Sequence, residues 1–97
     1  MKNLSEIQSI VRAHALELHQ RFGIASLAVF GSVARGEAKE ESDVDILAVF
    51  DRSIGLLALC SAENYLIELL GINVDLIPRE DVRPELRDQI YSEAVAI

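Results

Sequence analysis

At 97 residues, 51% hydrophobic and 26% charged, the chain has room for one domain, residues 1–97, and is too apolar for a disordered tail. It folds to ~5,500 Å² of surface by the usual scaling with mass, burying about 65% of what the extended chain exposes, enough for a core without disulfides. The net charge of −7 argues against autonomous nucleic-acid binding, which draws its affinity from clustered cations, and suits a basic protein partner or metal ions carrying a phosphorylated ligand. The single cysteine, Cys60, fits a reducing compartment. Charges lie within the first six residues with no apolar run behind them, so a signal peptide is not expected. The longest apolar stretch, Leu56 to Cys60, is too short to cross a bilayer, and a cytoplasmic protein is expected.

In chain order, Leu4, Ile7, Val11, Ala15, Leu18 and Phe22 fall at helical spacing and predict one long helix, with Ser5 and Gln8 as its capping box and Gly23 as its stop. Ile24 to Phe30 predicts a buried strand. Gly31 breaks it, and Ser32 to Glu37 has length only for a short helix before a polar stretch. A second strand is predicted from Val44 to Phe50, and a second long helix from Ile54 to Leu70, ended by Gly71, with Leu59, Leu66 and Leu70 facing inward. Asn73 to Ile77 predicts a third strand, stopped by Pro78. Pro84 opens a last helix whose stripe is Leu86, Ile90, Ala94 and Ile97. The connection between the first two strands is too short for a crossover helix, so they pair antiparallel. The fold class is therefore α+β, a small mixed sheet with helices on one face.

Three aspartates carry the chemical signal. Asp43 and Asp45 are two apart at the mouth of the second strand and leave the sheet on one face; Asp75 sits likewise between Val74 and Leu76. Aspartate is disfavoured in strands, and three facing carboxylates repel unless cations compensate them. Hard oxygen ligands without His or Cys point to Mg²⁺ or Mn²⁺. Gly31-Ser32 directly follows a strand and opens a short helix, where backbone N–H groups and a hydroxyl suit a phosphate. Antiparallel pairing of the first two strands brings that cradle to the edge where the Asp pair lies. Such a combination suits phosphoryl or nucleotidyl transfer. Among the remaining polar residues, His14 and His19 are five apart and share no helix face, so they read as structural. Cys60 is expected in the core, and Tyr65 and Tyr91 as packing residues with wet hydroxyls. Ser42 is expected to orient the loop ahead of Asp43.

Gly31-Ser32, ten residues, then Asp43-Val44-Asp45, with Val74-Asp75-Leu76 later, resembles the signature of the DNA polymerase β nucleotidyltransferase superfamily. Chance gives the Gly-Ser-x10-Asp-x-Asp part in roughly one chain in a thousand of this length, so the match is informative. The stretch from Gly31 to Ala38, with Ser42 to Leu47, is similar to stand-alone minimal nucleotidyltransferase (MNT) domains encoded beside HEPN-domain toxins; Glu93-Ala94-Val95 extends the likeness to the C-terminus. The resemblance implies a polymerase β palm-like core in which Asp43 and Asp45 bridge two Mg²⁺ ions and Asp75 ligates the one nearer the nucleophile. It further implies that Gly31 and Ser32 bind the β- and γ-phosphates of ATP. Arg35 either reaches the triphosphate from the short helix or pairs with Glu37 or Glu41.

The implied activity is transfer of AMP from ATP to a protein acceptor, a tyrosine of a cognate HEPN ribonuclease toxin, which makes the chain a protein adenylyltransferase acting as an antitoxin. The sequence leaves two competing functions open. One is a non-catalytic module that neutralises its partner by contact. The other is an antibiotic-modifying nucleotidyltransferase, which needs a second copy of the chain to wall its acceptor.

Overall fold

In the computed structural model, which describes residues 2–97, the elements run α1 (Leu4–Ala13), α2 (Ala15–Phe22), β1 (Ile24–Phe30), α3 (Gly31–Arg35), β2 (Val44–Phe50) and α4 (Leu56–Leu70). They continue with β3 (Val74–Pro78), a 3₁₀ turn at Arg79–Asp81, α5 (Pro84–Glu93) and β4 (Val95–Ala96). The bounds of β1 and β2 are those predicted.

The first helix differs from expectation at both its start and its middle. Its capping box is Asn3 with Glu6: the Asn3 side chain accepts from the Glu6 N–H at 2.9 Å, and Glu6 accepts from the Asn3 N–H at 3.2 Å. Asparagine caps as well as serine, so the helix starts two residues earlier than Ser5 would set it. The predicted single helix is divided at His14, whose Nδ1–H donates to the Ile10 carbonyl at 2.9 Å. The break leaves Ala15 exposed but keeps Ile7, Val11, Leu18 and Phe22 buried, so both halves still press one stripe on the sheet. Gly23, at φ 72°, ends α2 in the left-handed conformation that a side chain resists.

The four strands stand in the order β3-β2-β1-β4. β1 and β2 are antiparallel, as predicted; β2 and β3 are parallel, joined by α4, which makes the sheet mixed. β4 was not anticipated. The stripe Leu86, Ile90, Ala94, Ile97 suggested a helix to the C-terminus, but α5 stops at Glu93, and Val95 and Ala96 pair with Val29 and Ala28 on the free edge of β1. Pairing with an exposed backbone outweighs one further turn of helix whose outer face would meet water.

Side chains alternate between the faces. On one side Leu27, Val29, Val44, Ile46, Val74 and Leu76 meet Ile7, Val11 and Leu18 of α1 and α2 and Ala62, Leu66 and Leu70 of α4. Leu66 and Leu70 are wholly buried, each worth about 1.5–3 kcal/mol. The other face carries a smaller apolar patch, in which Phe30, Leu47 and Val82 pack with Ile77, Ile90 and Tyr91, bringing α5 over part of it.

α4 is more apolar than its inner face requires. Leu56 and Leu57 are 75% and 85% exposed, and Cys60, expected in the core, is exposed beside them on the outward side of the helix. Tyr65 and Tyr91 are half-buried with hydroxyls bonded to Glu17 and to the Arg79 carbonyl, as packing residues with polar tips should be. At the outer strand, the Glu63 carboxylate accepts from the Leu76 N–H at 2.9 Å. The folded surface, 5822 Å², is close to the area expected from mass. No helix among the described residues is long and apolar enough to cross a membrane.

Candidate active site

One row across the sheet gathers the chemistry. Phe30, the last residue of β1, is the register partner of Asp45 in β2, and Asp45 is the partner of Asp75 in β3. Neighbouring strands run about 4.8 Å apart, so Asp45 and Asp75 stand side by side on one face. Asp43 lies two residues before Asp45, just ahead of β2, and exits on that face too. The chain leaves Phe30 directly into Gly31, which opens α3 beside the Asp45 carboxylate.

Gly31 is dictated twice over. Its φ of 74° is left-handed, and a Cβ there would fall on Asp45 Oδ2 and lie 3.2 Å from Asp45 Cγ. Gly31 is buried, Ser32 half-buried and Arg35 exposed, so α3 turns its first residues toward the aspartates and its last toward solvent. Ahead of β2, Ser42 Oγ accepts from the Lys39 N–H at 2.9 Å, which ties the polar loop into a turn and orients the entry to Asp43, the role expected of it.

The charges are unbalanced. Asp43 and Asp75 are exposed, whereas Asp45 is half-buried. Burial first, then the Asp75 and Asp43 carboxylates, push the Asp45 pKa above its ordinary value; Arg35 opposes them. Among the described residues no three His, Cys, Asp or Glu side chains converge into a ready-made metal cage. The donor set itself fits a hard divalent cation: carboxylate oxygens from two adjacent strands, excess negative charge and an open solvent side.

Arg35 makes one of its two expected pairings and adds one that the sequence did not suggest. Its Nε donates to Glu37 at 3.2 Å, and its Nη1 to both carboxylate oxygens of Glu93, at 3.2 and 3.3 Å; Glu41 is not its partner. Glu93 also accepts from the Gly31 N–H at 3.2 Å. Glu93 stood out in the sequence only as part of a C-terminal likeness, and no local pattern could join it to Gly31, 62 positions away. The two histidines lie apart from the site, His14 at the junction of α1 and α2 and His19 against Asp51. A hollow of about 730 Å³ occurs at the opposite end of β2, lined by Val49, Leu56 and Pro78 among others, and contains none of these site residues.

Residues 11–97 match the model of the nucleotidyltransferase domain family. The chain is 44% identical over 97 residues to the protein adenylyltransferase MntA of Thermococcus cleftensis, spanning 100% of this chain and 98% of that protein. It is 45% identical over 98 residues to a candidate protein adenylyltransferase of Methanocaldococcus jannaschii, spanning 100% of both. A solved candidate minimal nucleotidyltransferase superposes with a TM-score of 0.81 at 38% identity, covering 99% of this chain and 97% of that one. The complex of a tri-AMPylated Shewanella oneidensis HEPN toxin with its MNT antitoxin gives a TM-score of 0.67 at 18% identity over 93% of this chain and 70% of that one, a likeness of fold.

Proposed function

Because the chain belongs to the nucleotidyltransferase domain family, we propose that residues 1–97 act as one domain that moves AMP from ATP onto a tyrosine of a HEPN-domain toxin, silencing it as its antitoxin. The observation that carries this reading is the row Phe30, Asp45, Asp75, which sets a glycine-led helix start and two strand carboxylates on one edge. Support comes from the relatives named as protein adenylyltransferases and from the solved MNT–HEPN pair, whose toxin carries AMP.

In this reading Gly31, Ser32 and Arg35 form the site of the β- and γ-phosphates: Gly31, its own N–H held by Glu93, gives the phosphate room to approach, while the Ser32 hydroxyl and the Arg35 guanidinium bind it. Asp43, Asp45 and Asp75 would hold Mg²⁺, whose charge neutralises the triphosphate and lowers the pKa of the acceptor hydroxyl. The tyrosyl oxygen attacks the α-phosphorus, the bond to the β-phosphate breaks, and pyrophosphate leaves. Asp75, exposed at the solvent side of the row, receives the hydroxyl proton. Positioning and charge do most of this work, so a small domain is enough when the partner brings the acceptor. The activity belongs in the cytoplasm, where ATP is supplied and Cys60 stays reduced.

The test is the intact mass of the HEPN partner after incubation with this chain, ATP and Mg²⁺. An increase by one or more AMP units, lost with Asp45→Asn, is the expected result. A stable complex of unchanged mass would replace catalysis with neutralisation by contact. Pyrophosphate release driven by an aminoglycoside without any protein acceptor would favour the antibiotic-modifying alternative.

A further inference from the structure

Glu93 carries a charge where its helix does not want one. It is the last residue of α5, at the negative end of the helix dipole, and the last turn contains no basic residue to offset it. Its carboxylate is nevertheless held by long-range partners, the Gly31 N–H at 3.2 Å and Arg35 Nη1 at 3.2 and 3.3 Å. The Glu93 side chain is 19% exposed and that of Arg35 is 41% exposed, so the inner half of the pair is the carboxylate. On its other side Arg35 Nε is bonded to Glu37. The guanidinium is thus held between two carboxylates by Nε and Nη1, and neither contact uses Nη2.

Resting on the nucleotidyl-transfer reading, we propose that Glu93 is a positioning residue of the phosphate subsite: it pins Gly31 and holds the Arg35 guanidinium with its Nη2 edge toward the triphosphate. An unrestrained arginine samples many rotamers and loses that freedom on binding; a clamped one has lost it beforehand. The clamp has a second effect. Asp45 is within electrostatic reach of both Arg35 and Glu93, and a loose guanidinium beside three aspartates would swing onto them and block the cation. Two glutamates keep it on the phosphate side.

The experiment titrates Mg²⁺ and a non-hydrolysable ATP analogue into the wild-type chain and Glu93 variants, with Tm measured alongside. Glu93→Ala should weaken nucleotide binding by about tenfold, the scale of a charge-assisted hydrogen bond. Glu93→Gln, whose amide oxygen still accepts from Gly31 and Arg35, should recover most of that loss. In an Arg35→Ala background, Glu93→Ala should add little further loss. Wild-type affinity in Glu93→Ala with a lower Tm would overturn the proposal and leave Glu93 a structural anchor for α5. Tighter binding would also overturn it, showing that the carboxylate competes with phosphate. Should the alanine variant not fold, Glu93→Asp, one methylene shorter, is expected to bind more weakly, and unchanged affinity there would overturn the proposal as well. A wild-type chain that binds no nucleotide triphosphate would instead overturn the nucleotidyl-transfer reading itself.

Discussion

The two faces of β2 make opposite use of one strand. Val44, Ile46 and Ala48 point into the main core and are at most 1% exposed, whereas Asp45 and Val49 point to the other side, half-buried and 40% exposed, with Leu47 covered between them. The helices α1, α2 and α4 close the first face; α5 and a short apolar patch cover only part of the second. The contrast teaches where the fold's stability is lodged. A sheet secured on one side by sixteen buried side chains tolerates, on the other, carboxylates that strand propensity disfavours.

The sharpest break in that contrast is Asp45→Asn. Nucleotide transfer should fall on the order of a thousandfold, since the variant loses a charge for which no other residue in the row substitutes. Without added divalent cation its Tm should rise, because a half-buried carboxylate beside Asp75 and Asp43 has been neutralised. A radiolabelled-AMP transfer assay and a thermal melt on the same sample check both halves, and a fall in Tm would mean that the site supports the fold. On the closed face Leu66→Ala should cost about 2–5 kcal/mol of stability in urea denaturation, while the folded fraction keeps its nucleotide affinity.

Gly31→Ala should cost about 1–2 kcal/mol from its left-handed backbone, and it should also impair transfer because the new methyl displaces Asp45. A loss of stability with full transfer would show that the Asp45 position is not critical. The smallest effect belongs to Asp51, remote from both faces' centres. Hydrogen bonds from Arg52 and then His19 hold its pKa below the ordinary value. Its contribution is therefore complete above the ordinary carboxylate range and fades as pH falls through the lower, folded-state value. Asp51→Asn should flatten the acid limb of a Tm-against-pH curve slightly, and salt should shrink the difference because the groups are exposed.

The strands and the aspartate row were legible in the sequence because each is a local pattern: two Val/Ile/Leu-rich runs with the bounds later seen, and carboxylates at alternate positions. The antiparallel pairing of β1 and β2 followed from loop length, and that pairing alone predicted Gly31 beside Asp45. What escaped depends on distant partners. β4 is two residues whose strand character comes from the open edge of β1, while their spacing continued a helical stripe. The division at His14 arises from one side chain bonding the carbonyl a turn earlier, which leaves the periodicity of Val11 and Leu18 almost intact. Cys60 was misplaced because α4 is apolar on both sides, so its sequence does not say which face is inner. The Glu93 clamp spans most of the chain.

The Glu63–Leu76 bond has a consequence for assembly. β3 is one margin of the sheet and the two-residue β4 is the other. Glu63 occupies an amide on the first margin, and the second is too brief to template a ladder. Among the described residues, one amide of the first margin is thus taken and the second margin is short, which disfavours pairing between strands of separate molecules. Such margins favour association through side chains over fibre-like stacking of strands.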